Sequence, residues 1–240
     1  MESYQIKMKR EIELRGLSER TKQKYLQSIK NFVDYFGKDP ETISLDEIKD
    51  FLQEYQGQIA QGSTTKRAPH SVNAMKAVIS FYYDRVLQKS YYHLIPNMKC
   101  GKKMPVILTV DEVKSMINGL QNYFWKAVVM TLYSTGIRNS ELRNLKTSDI
   151  DSKRMVIIVR AGKGNKDREV ILTKELLKAL RNYWTKHRSF LKTNSDYLFV
   201  PRKNTYNGKL NKSLSHTALG HIVNQAAKIA GVKKKLPHMF

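Results

Sequence analysis

The 240 residues are 41% hydrophobic and 27% charged, a globular balance for one or two domains that excludes a disordered chain. The 43 Lys and Arg against 21 Asp and Glu leave a formal net charge of +22, which exceeds what solubility needs and points to a polyanionic partner, nucleic acid first. The lone cysteine, Cys100, excludes an internal disulfide and a cysteine-based zinc module.

No stretch reaches the roughly 18 apolar residues of a membrane span, and polar Met1–Arg10 gives no reason to expect a signal peptide. Residues 1–100 hold 16 basic and 12 acidic residues, whereas 101–240 hold 27 and 9. The excess therefore sits in the second part.

The first hundred residues read as helices. Ile6, Met8, Ile12 and Leu14 are loosely helical in spacing, and Gly16 stops that run. Ser18 caps the next helix, which carries Tyr25, Leu26, Ile29, Phe32, Val33 and Phe36 and stops at Gly37. Ser44 and Glu47 form a capping box ahead of Ile48, Phe51 and Leu52. Residues 56–66 read as a loop, and the spacing predicts a fourth helix over about 71–87. Four short amphipathic helices make a small bundle. The stretch from Pro96 to Pro105 is bounded by prolines and holds a glycine and three lysines, the composition of an exposed linker.

The second part is mixed. Thr109 and Glu112 form another capping box. Phe124–Ser134 is almost continuously apolar and is expected at the centre of a core. Gly136 interrupts it, and a helix restarts after Arg138. Residues 155–160 and 168–172 read as two strands of a hairpin whose turn, 161–167, is rich in Gly and Lys. Thr173 and Ser215 cap two more helices, the last stopping at Gly231. Residues 197–200 are too short a run to assign.

Taken singly, the polar residues say little. Arg138 at a helix start is either a surface arginine or a phosphate clamp. Glu141, one turn on, either buttresses that guanidinium or is an ordinary helix carboxylate. Lys163, between Gly162 and Gly164, is either a mobile hairpin lysine or an ammonium that can enter a nucleic-acid groove. His238 follows Pro237 in a tail, where a histidine usually has no role.

Their order along the chain is more specific. Thr135-Gly-Ile-Arg-Asn-Ser-Glu-Leu-Arg-Asn-Leu, followed by Asp149-Ile-Asp, resembles the first catalytic box of the tyrosine recombinases, the phage-integrase family. Gly162-Lys-Gly-Asn-Lys-Asp-Arg resembles that family's lysine-bearing hairpin. Arg15-Gly-Leu-Ser-Glu-Arg-Thr with Tyr25 looks like the start of its core-binding domain, and Leu236-Pro-His-Met-Phe like the opening of its second box, His-x-x-Arg.

The resemblance implies a mainly α chain with a small β-hairpin or sheet. A helical SAM-like core-binding domain (1–95) and a linker (96–105) would precede a partial α/β catalytic domain (106–240). It implies metal-free, cofactor-free transfer of a DNA strand through a 3′-phosphotyrosyl bond. Arg138, Lys163 and His238 would be catalytic and Glu141 would support Arg138. Lys166, Arg168, Lys233, Lys234 and Lys235 would contact DNA. The partners implied are double-stranded DNA and other protomers, as a tetramer on two sites, in the cytoplasm and away from membranes.

The second-box arginine would stand at position 241 and the nucleophilic tyrosine beyond it. The 240 residues are therefore expected to bind DNA without cleaving it, and the apolar face around Phe124–Tyr133 to be partly uncovered. A non-catalytic competitor of an intact recombinase and a basic RNA-binding protein are the alternative readings.

Overall fold

The computed structural model describes residues 3–59, 66–101, 107–160, 166–191, 195–200 and 213–233. The chain divides into two compact units, Met1–Lys103 and Met104–Phe240.

The first unit is helical. Its elements are α1 (Tyr4–Leu14), α2 (Glu19–Phe36), α3 (Leu45–Gly57) and α4 (Pro69–Phe81). The expected caps are present. The Ser18 hydroxyl accepts from the Thr21 N–H, and Ser44 and Glu47 exchange side-chain and backbone bonds as a capping box. Gly37 ends α2 in the left-handed conformation, φ 62°, which a side chain would disfavour. Met8, Ile12, Ile29, Phe32, Ile48 and Ile79 are fully buried.

The fourth helix does not run on to residue 87 as an α-helix. From Tyr82 to Val86 it widens into a π turn, and the Leu87 N–H reaches back to the Tyr82 carbonyl. The widening lets neighbours Tyr82 and Tyr83 both bury, the Tyr83 hydroxyl donating to the Pro40 carbonyl at 2.5 Å.

The linker reading needs a correction over its first residues. Asn73 of α4 donates to the Met98 carbonyl at 3.0 Å and accepts from the Met98 N–H at 2.9 Å. Lys76 donates to the Asn97 side chain at 2.9 Å. Residues 97–98 are thus tied to the helical unit.

The second unit holds α5 (Val110–Gly119), α6 (Tyr123–Thr135), α7 (Asn139–Asn144), β1 (Ile150–Asp151), β2 (Val156–Val159), β3 (Arg168–Ile171), α8 (Lys174–Lys186) and α9 (His216–Ile229). The strands form an antiparallel sheet in the order β1-β2-β3, with Ile157 opposite Ile150 and Val170, and Val159 opposite Arg168. Strand β1 escaped the sequence reading because two residues carry no alternation to read.

Helix α6 is central, as its composition predicts. It packs on α8, α9, α5 and α7. Phe124, Ala127, Val128, Val129 and Leu132 are all buried, so the expectation of an uncovered apolar face there is not met. Tyr133 is the residue of that stretch left 46% exposed. The covering comes from α8 and α9, whose apolar stripes include Leu176, Leu180, Tyr183, Ile222 and Ala226.

Candidate functional site

Arg138 is placed by the residues on either side of it. Helix α6 stops at Gly136, again left-handed at φ 62°, and the chain turns. Ile137, fully buried, then pins the backbone to the core. Arg138 is extended, φ −70° and ψ 155°, as the residue before a helix must be. Leu142 and Glu141 bury the inner face of the short α7. The result is an arginine on a fixed backbone whose side chain is 48% exposed.

Glu141 is the hub. Its side chain is 4% exposed. Its Oε2 accepts the Arg138 backbone N–H at 2.7 Å and its Oε1 accepts Arg138 Nη1 at 2.9 Å. Arg168, the first residue of β3, closes on the same carboxylate as a fork, with Nη1 to Oε1 at 2.9 Å and Nη2 to Oε2 at 2.7 Å. Four donors fill the acceptor capacity of one carboxylate. Those bonds, Arg168's foremost, hold the Glu141 carboxyl down at about 2 against the opposing effect of burial.

A second cluster lies nearby in sequence. Asp149, buried, caps the turn 147–149 by accepting the Lys146 N–H at 2.9 Å, and its other oxygen accepts Arg160 Nε at 2.7 Å. Arg160 follows the end of β2 and is 57% exposed. Arg143 of α7 donates to the Leu214 carbonyl, just ahead of α9, which ties α7 to that helix from the other side.

Arg138 and Arg168 thus present two guanidinium groups side by side, with their shared counter-charge, Glu141, buried behind them. Such a pair is built to take an oxyanion, since the cations are held before an anion arrives.

Of the expected site residues, Arg138, Glu141 and Arg168 are brought together. Lys166 and Lys233 are exposed. Lys163, Lys234, Lys235 and His238 lie outside the described residues. Arg168 was read as a DNA contact, yet two of its five N–H groups are committed to Glu141. Nothing local announces that pairing, because the partners are 27 residues apart. The Asp149–Arg160 pair, 11 residues apart across β1 and β2, was also missed. Among the described residues no group of three or more His, Cys, Asp or Glu is placed to hold a metal ion, and no helix is long and apolar enough to cross a membrane.

Comparison with known proteins supplies the context. A model of the phage integrase family matches residues 107–240, and one of the phage integrase N-terminal SAM-like domain matches residues 6–93. The tyrosine recombinase XerA of Pyrococcus furiosus is 30% identical over 234 residues, 95% of this chain and 75% of that protein. XerA of Pyrococcus horikoshii is 36% identical over 140 residues, 58% of this chain and 48% of that one. The chain spans about half the length of several curated relatives it matches, 56%, 51% and 48%. Among solved structures, a lambda integrase dimer bound to a COC′ core site matches with a TM-score of 0.69 at 16% identity, covering 98% of this chain and 80% of that one. The XerH recombinase bound to a palindromic difH substrate matches at 0.66 and 20% identity, covering 98% and 70%. At these identities the two structures speak for the fold.

Proposed function

Because the chain belongs to the phage integrase family of tyrosine recombinases, we propose that it holds duplex DNA and serves the breaking and rejoining of a strand through a 3′-phosphotyrosyl bond. The observation that carries this reading is Arg138, half-exposed on a pinned backbone with its counter-charge, Glu141, buried behind it.

In this reading Arg138 takes a non-bridging oxygen of the scissile phosphate and stabilises the charge that grows there as the phosphorus is attacked. Glu141 orients Arg138. Lys163 delivers a proton to the leaving 5′-oxygen, and His238 donates to the phosphate. The covalent bond to tyrosine splits one exchange into two transfers. All 13 tyrosines precede His238, whereas in the family the nucleophile follows the second box, so none of them is given that role. Lys166, Lys233, Lys234 and Lys235 contact the DNA backbone. Two DNA sites and further protomers complete the reaction.

The excess charge of residues 101–240 makes phosphate contacts the main source of affinity. The test is the salt dependence of binding to a duplex, with a structured RNA as competitor. The slope of log affinity on log salt should correspond to on the order of 5 phosphate contacts, and Arg138→Ala should lower it by about one. A slope near zero, or equal preference for the RNA, overturns the reading.

A further inference from the structure

We propose that Arg168 is a positioning residue which neutralises Glu141 and so leaves the charge of Arg138 available to a DNA phosphate. The proposal rests on Arg138 as the phosphate clamp and gives β3 a part in setting it.

The argument is electrostatic. Glu141 is almost sealed from solvent, so its charge must be met by protein groups. With Arg138 as its one cation the two would form a closed neutral pair, strengthened by the low local dielectric. A phosphate would then have to compete with a buried carboxylate for the same guanidinium. Arg168 removes that competition. Its fork takes both carboxylate oxygens, while Arg138 gives Glu141 one side-chain N–H, from Nη1. Two cations share one anion and the cluster keeps a net positive charge. Arg138, 48% exposed, is the more open of the two arginines, and Arg168 is 37% exposed.

The geometry makes Arg168 the holder. Its backbone is fixed by the sheet, where it sits opposite Val159, buried in the core. The planar fork on a rigid strand orients Glu141, and the other face of α7 is held through Arg143. Lysine could supply the charge but not the two parallel bonds.

The test compares Arg168→Gln, Glu141→Gln and the double variant in the 240-residue chain at neutral pH. Arg168→Gln alone should weaken duplex binding about tenfold, the scale of one charge-assisted hydrogen bond. The same change in the Glu141→Gln background should weaken it about twofold or less, because no carboxylate remains to capture Arg138. Equal losses in both backgrounds would make Arg168 a direct DNA contact and overturn the proposal. Arg168→Lys, which keeps the charge, should show an intermediate loss and serves if the glutamine variant does not fold.

A second readout needs no DNA. Nitrogen-15 spectra of the free protein report rotation of the Arg138 guanidinium. Arg168→Gln should slow it, as Glu141 closes on Arg138. Unchanged or faster rotation overturns the positioning role. Failure of the wild type to bind duplex DNA would instead count against the functional reading, with the rotation measurement still deciding what Arg168 does to Arg138.

Discussion

Arg160 donates its Nε–H to Asp149 at 2.7 Å, and Asp149 spends its other oxygen on the backbone N–H of Lys146. One buried carboxylate thus joins the exit of β2 to the turn that leads into β1. The two bonds are unequal. The cap satisfies a backbone donor, whereas the ion pair reaches an exposed guanidinium. Asp149→Ala should cost about 2 kcal/mol in urea unfolding of the second unit, since it strips the cap and leaves Arg160 without its carboxylate. Arg160→Ala should cost less, about 1 kcal/mol, because it takes the cation from a buried carboxylate but leaves the backbone cap in place. Equal losses would show that the ion pair, not the cap, carries the stability.

Glu141 makes the second unit sensitive to acid. Its carboxyl ordinarily titrates at 4.5 and is held at about 2 in the folded chain. As pH falls, the unfolded chain takes up this proton first. The contribution is therefore full above about pH 4.5 and is lost on the way down to 2, on the order of 2–3 kcal/mol. Glu141→Gln should flatten that part of the stability profile and lower stability at pH 7. An unchanged acid limb in the glutamine variant would place the sensitive carboxylate elsewhere.

These two carboxylates also show what was legible in the sequence. Local signals read well, because caps are chemistry between near neighbours. Ser44 with Glu47 and Thr109 with Glu112 both close as capping boxes, and Gly37, Gly136 and Gly231 all take positive φ at helix ends. The family motif singled out Arg138 and Glu141 as candidates. It gave no sign that Arg168 would fold back on Glu141, since that pairing depends on the strand register bringing β3 beside α7. The π turn at Tyr82–Val86 was equally silent, because two adjacent buried tyrosines break the helical period used to read it.

Lys76 illustrates another limit, a cation on what reads as the apolar face of α4. It is 4% exposed, with Nζ on Asn97 and over the Tyr92 ring at 4.6 Å. Loss of water pushes its ammonium below the usual 10.5, partly offset by Asp84. A lysine with a lowered folded value is penalised while charged, and the penalty fades as pH rises towards 10.5. Lys76→Met should therefore match or exceed the wild-type stability at pH 7, within about 1 kcal/mol, and lose that advantage at high pH. A large loss at pH 7 would mean that the Asn97 bond and the ring contact outweigh desolvation.

Asn73 ties the segment around Met98 to α4. Its side-chain amide pairs with both backbone groups of Met98, as a neighbouring strand would, and also reaches Cys100 Sγ at 3.4 Å. A protease must draw several residues into an extended cleft, so a segment held at Met98 resists cutting at exposed Lys99. Asn73→Ala removes the donor and the acceptor together and leaves the Met98 groups to water. Trypsin should then cleave after Lys99 several-fold faster, with the rate at Lys49 in α3 unchanged as the control for global unfolding. Asn73→Asp keeps the acceptor for the Met98 N–H but loses the donor to its carbonyl, and should fall between the two. Identical Lys99 rates in wild type and Asn73→Ala would show that the tie does not protect the segment, which would then behave as the open connection its prolines and lysines suggest.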